Sequence, residues 1–148
     1  SADSTMLPLG VRLDEDGSIE LFVPDCPGVK LSAVQWMSLE IDQPVIWAIE
    51  LKPGGVSTNR FTVGETPTGY VTYTQLRPGT SIEDFGTKWV SFVVPRRSNA
   101  GERLSTAGLT IKANELPPGV LVYRSRDNVL HRVPNASHFR PPVRCDAG

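Results

Sequence analysis

The chain has 148 residues, 39% hydrophobic and 21% charged, with a net charge of −1. That length suits one domain with its own core, and that composition excludes a disordered chain. No apolar run approaches the roughly 18 residues of a membrane helix, so no transmembrane segment is expected. No signal peptide opens the sequence, which says nothing of the compartment, because a mature or recombinant form would lack one.

Thirteen Gly and thirteen Pro exceed the usual share and favour short strands between turns. Residues 10–23 form a hairpin pattern. Val11 and Leu13 lead into Asp14-Glu15-Asp16-Gly17, and Ile19, Leu21 and Val23 alternate on the return. After Asp25-Cys26-Pro27-Gly28, residues 29–41 suggest one long strand. Its odd positions are apolar (Val29, Leu31, Ala33, Met37, Leu39, Ile41), with Gln35 the exception. Val45, Trp47, Ile49 and Leu51 make another alternating face before Pro53-Gly54-Gly55.

Further strands are expected over 61–63, 69–76 and 88–94. One helical turn fits 81–85. Residues 96–102 are polar and contain Gly, the pattern of a mobile loop. Strands at 109–112, 120–124 and 129–133 complete the series, the last two pairing across Ser125-Arg126-Asp127-Asn128. These are nine or so strands with period-two alternation, which buries one face of each sheet. Two facing sheets bury both apolar faces, so the expected fold is an all-β antiparallel β-sandwich, with a partly closed barrel as the alternative. One domain spans 1–148, with 1–8 and 134–148 as extended terminal segments.

Charge is uneven. Residues 1–74 hold 4 basic and 10 acidic groups, and residues 75–148 hold 11 and 6. Arg124, Arg126, Arg132, Arg140 and Arg144 crowd the last 31 residues. They either balance the acidic half or form a patch for an anionic partner. They are not interleaved with aromatics, which argues against nucleic acid.

No catalytic residue emerges. His131 and His138 are the only histidines, and no nucleophile elbow, zinc motif, phosphate loop or dinucleotide fingerprint occurs. No cofactor is implied. Asp14-Glu15-Asp16-Gly17 lacks the distal glutamate of a calcium loop and fits a solvated turn. Asn135-Ala136-Ser137 fits a glycosylation acceptor. Trp47 shares its face with Val45, Ile49 and Leu51 and belongs in the core. Alternation points Trp36 and Trp89 outward, where exposed aromatics stack on sugars or anchor a protein; a single bulge would turn either inward.

Cys26 and Cys145 stand 119 residues apart and form no redox or zinc pair. One structural disulfide is the favoured reading, and two free thiols the alternative. A bridge would clasp the Pro-rich tail to the turn after the second strand and place folding in an oxidising compartment.

Gly17-Ser18-Ile19-Glu20-Leu21-Phe22-Val23-Pro24-Asp25-Cys26-Pro27-Gly28 resembles the opening of small secreted or lipid-anchored proteins of actinobacteria. The resemblance covers these dozen residues. It implies an immunoglobulin-like sandwich and a cell-envelope location, with no activity and no site residue. The expected function is a non-enzymatic extracytoplasmic binding or scaffolding domain, secreted or anchored at the envelope. Its partner would be a protein or a cell-wall polymer, met through Trp36, Trp89, Arg124, Arg126 and Arg132. The alternatives are a small-ligand protein or hydrolase with a site built from distant loops, and a structural module of a secretion or phage assembly.

Overall fold

The computed structural model describes residues 6–40, 42 and 44–134. Its strands are β1 (Leu7–Pro8), β2 (Gly10–Leu13), β3 (Ile19–Phe22), β4 (Val29–Leu31), β5 (Ala33–Ser38), β6 (Val45–Leu51), β7 (Arg60–Thr62), β8 (Tyr70–Thr74), β9 (Trp89–Ser98), β10 (Arg103–Lys112), β11 (Val120–Arg124) and β12 (Leu130–Pro134). The large sheet runs β1-β10-β9-β5-β6-β8, with β4 also paired to β9. The small sheet runs β12-β11-β2-β3-β7. Neither closes into a barrel, and the fold is an all-β sandwich. Every ladder is antiparallel except β1 against β10. Among the described residues no helix is long and apolar enough to cross a membrane.

The core is organised by one row of large side chains. Trp47 on β6 pairs with Trp36 on β5, Trp36 with Phe92 on β9, and Phe92 with Leu109 on β10. All four are buried. Trp36 stacks on Phe92 with ring centroids 5.6 Å apart and a 16° interplanar angle. Phe85 closes on the same indole at 5.3 Å from a 3-10 turn, Ile82–Phe85, capped by Ser81 and Asp84. Val11, Leu21 and Val122 of the small sheet join the same cluster. Tyr70 ties the far corner. Its ring meets Phe61 edge-on, and its hydroxyl donates to the Leu31 carbonyl at 2.7 Å. Burial pushes the Tyr70 phenol up.

The expectation for 29–41 needs correcting. Two strands stand there, and the buried positions switch from Leu31 to Val34, Trp36 and Ser38. The cause is Pro95. Val93 pairs with Gln35 on β5, whereas Arg96 pairs with Leu31 on β4, so one residue is extra. Proline has no N–H for the ladder. Ser32 fills the break by donating to the Pro95 carbonyl at 3.1 Å, while its own carbonyl accepts from Leu51 at 2.9 Å. This bulge turns Trp36 inward, 1% exposed.

The loop expected at 96–102 is also corrected. β9 continues through Arg96 and Arg97 to Ser98, and a tight turn leads straight into β10. Arg96 is consequently 2% exposed. One of its nitrogens donates to the Ser105 carbonyl at 3.1 Å, and burial lowers the guanidinium pKa. Leu7–Pro8, expected as an extended end, pairs with β10 as β1.

The outer face of the small sheet carries a compact ion cluster. Arg12 sits opposite Glu20 and bonds it at 2.5 Å; Arg60 bonds the other Glu20 oxygen at 2.6 Å. Both guanidinium groups lie over the Phe22 ring, at 5.1 and 4.7 Å. Asp14 joins through Arg12 at 2.9 Å. Burial opposes ionisation of Glu20, but hydrogen bonds from Asp14, Arg60 and Arg12 override it and hold its carboxyl at about 2. Asp14 is pushed up, first by burial and then by the hydrogen bond shared with Glu20.

Two outcomes follow for stability. A Cβ at Gly108 would displace the Met6 thioether and lie 3.1 Å from the Phe92 carbonyl, so a side chain there requires both to give way. Gly108→Ala should cost about 1–3 kcal/mol in urea unfolding, part of it recovered with Met6→Ala; a loss under about 0.5 kcal/mol would contradict this packing. For Glu20 the folded pKa lies below the unfolded one. Its contribution is therefore complete above pH 4.5 and disappears as pH falls towards 2. The stability advantage of the wild type over Glu20→Gln should shrink through that window, and a constant difference would contradict the cluster.

Candidate anion-binding groove

β1 ends at Pro8, opposite Gly108. Two residues further along β10, the Thr110 carbonyl accepts a hydrogen bond from Arg124 Nε at 3.0 Å. Arg124 is the last residue of β11, in the other sheet. One guanidinium thus joins the two sheets at an open side of the sandwich. It spends Nε on this contact, and among the described residues its two terminal nitrogens have no hydrogen bond. A guanidinium is a rigid planar fork, the geometry that takes a carboxylate or phosphate with two parallel bonds.

The turn after β11 completes the site. Ser125 N–H donates to the Val129 carbonyl at 2.9 Å and Asn128 N–H to the Ser125 carbonyl at 2.8 Å. Asn128 adopts φ 69°, the left-handed conformation that asparagine tolerates better than most residues. Asp127, the one acid in this turn, accepts a hydrogen bond from Ser125 Oγ, which lowers its carboxyl pKa. The resulting groove has a volume of about 350 Å³ and is lined by Met6, Gly108, Thr110, Arg124, Ser125, Arg126 and Asn128. Among the described residues, two arginines line it and no acidic side chain does.

Trp89 lies on β9, outside the groove lining. It is 44% exposed and pairs with Lys112, whose ammonium lies 5.7 Å from the indole centroid. Gly108, Thr110 and Lys112 alternate along the outer face of β10, about 7 Å from one to the next. The Thr110 hydroxyl also bonds that of Ser91 on β9 at 3.1 Å. β10 therefore supplies Gly108 and Thr110 to the groove and Lys112 to the indole.

The residues singled out from sequence divide accordingly. Arg124 and Arg126 come together in the groove. Arg132 is exposed on β12, opposite Val122, two residues beyond the partner of Arg124 and outside the groove lining. Trp89 is exposed as alternation requires, whereas Trp36 is core and has no surface to offer. His131 stacks flat on Tyr123, ring centroids 4.8 Å apart. The Asp14–Gly17 segment is a hairpin turn, with Asp16 bonded to Ser18 at 2.6 Å. Cys145, His138, Asn135, Arg140 and Arg144 lie outside the described residues.

Sequence reasoning missed Met6, Gly108, Thr110 and Lys112. Only the pairing of β10 with β1 and β9 gives them a role. Asn128 carried a signal in its Asp-Asn turn. Among the described residues, two further grooves are each lined by one carboxylate. Asp25 lies beside Cys26 and Ser57 in the first, and Glu50 beside Arg97 and Arg103 in the second. No family model, curated protein or solved structure matches this chain.

Iodide should quench one of the three tryptophans, Trp89, and leave the buried pair emitting. Trp89→Phe should abolish the quenchable fraction; a variant that stays quenchable would place another indole at the surface.

Proposed function

We propose that this protein is a non-enzymatic extracytoplasmic binding domain whose contact surface is the Arg124–Arg126 groove together with Trp89. Its partner is an anionic group of the cell envelope, a carboxylate or phosphate carried on a polymer or on a protein. The observation that carries this is Arg124. Its guanidinium is anchored by Nε to Thr110, so its terminal nitrogens are oriented before any ligand arrives. Preorganisation of this kind reduces the entropy lost on binding. Arg126 adds a second cation, and Trp89 offers a flat apolar face for the rest of the partner.

The compartment rests on the cysteines and on the resemblance of residues 17–28 to secreted actinobacterial proteins. Cys26 is buried and is not a free thiol, which supports a bridge to Cys145, the second cysteine of the chain. Closing so long a loop would stabilise the fold by about 4–5 kcal/mol in the chain-entropy model.

Calorimetric titration with inorganic polyphosphate and with oligoglutamate tests the binding reading. One of the two should bind, with affinity falling as salt rises. Arg124→Ala with Arg126→Ala should weaken that binding at least tenfold, and Arg97→Ala, on another face, should not. Equal affinity in the double variant would overturn the site. Alkylation under denaturant should find no titratable thiol; two would overturn the extracytoplasmic reading.

A further inference from the structure

Across β4, β9 and β10 three cations stand in one row. Lys30 pairs with Arg97, and Arg97 with Arg103. Residues directly opposite on antiparallel strands point to one face, about 5 Å apart. Like charges so placed repel and cost stability. Among the described residues none of the three forms an ion pair. Arg97 donates to the Gly101 carbonyl at 3.1 Å, a contact that leaves its charge unmatched. Arg96, buried in the adjacent row, adds another positive charge, and its Nη2 has no hydrogen-bond partner among the described residues.

The row adjoins a concavity around Pro95. The bulge at Ser32 has a counterpart on the other side of β9. Leu104 pairs with Arg96 and Ala107 with Val94, so Ser105 and Thr106 both stand opposite Pro95. Breaks of this kind re-aim the side chains around them. The groove here has a volume of about 520 Å³, within the span of small-ligand sites, roughly 300–1,000 Å³. Ala33 and Pro95 line it with little bulk, and Thr106 contributes a hydroxyl. Arg97 and Arg103 line it from β9 and β10, and Glu50 lines it from β6, so the opposite charges flank it from opposite sides. Glu50 pairs with Ala33, two strands from β9 and about 10 Å across the sheet. No ion pair joins it to either arginine among the described residues.

We propose that this groove binds a small zwitterion. Its anionic head, a carboxylate or phosphate, lies against Arg97 and Arg103, and its primary ammonium lies against Glu50. Each charge of the ligand meets its opposite, and binding relieves the repulsion within the row. Glu50 repels the continuation of a polyanion, whereas the Arg124 groove has no acidic lining among the described residues. The two sites therefore take different ligands.

Calorimetric titration of the full chain with phosphoethanolamine and with γ-aminobutyrate tests the proposal, the two differing in their anionic head. At least one should bind, and its affinity should fall at least tenfold in Arg103→Gln and in Glu50→Gln. Inorganic phosphate and ethylamine each supply one of the two charges and should bind at least tenfold more weakly. Failure of both zwitterions to bind would overturn the proposal, and so would phosphate binding as tightly as phosphoethanolamine. Urea unfolding separates a binding role from a structural one. Arg103→Gln removes a like-charge neighbour, so its midpoint should stay level or rise; a fall would make the row a prop of the fold and overturn its assignment to a ligand.

Discussion

The row Trp47–Trp36–Phe92–Leu109 is the constraint on which the rest of this structure depends. It crosses four adjacent strands of the large sheet at one level. Burying each of these side chains contributes roughly 2–3 kcal/mol before conformational entropy is counted. The row can form only if β5, β6, β9 and β10 keep their register, since a slip of one residue would turn any of them to water. β9 holds the central place. It pairs with β10, β5 and β4, and the positions flanking the row on its inner face, Val90 and Val94, are fully buried.

The proposed site depends on that row through β10. Leu109 is fixed in the core, so its neighbours Gly108 and Thr110 must face outward. Gly108 lets Met6 settle against the sheet. Thr110 offers its carbonyl where β1 has ended, and Arg124 crosses from the small sheet to take it. A side chain that serves first as a tie between layers thereby becomes a rigid donor fork. Arg96 shows the opposite fate for an arginine of this chain. It lies on the inward face of β9, its charge opposed by burial and one of its nitrogens bonded to the Ser105 carbonyl.

Much of this was legible in the sequence, and the failures share a cause. The 10–23 hairpin, the strand at 45–51, the turn at 81–85 and the last two strands follow from local alternation and turn chemistry, and the structure has them. Trp36 was misplaced because Pro95, 59 positions away, forces the bulge at Ser32. Residues 96–102 were misjudged because a polar hairpin and a polar loop have the same composition. Only pairing with β4 and β10 distinguishes them. Arg124 and Arg126 stood out as charges near the end of the chain. Their partner Thr110 did not, because a backbone carbonyl leaves no mark in a sequence.

The most direct measurement is the backbone and indole spectrum of the full chain during titration with the polyanion that binds. Shift changes should concentrate at Thr110, Lys112, residues 124–128 and the Trp89 indole, and leave the Trp36 indole unmoved. Changes centred instead on β7 and β8, or spread evenly over the basic residues, would contradict a preformed site at the junction of the two sheets.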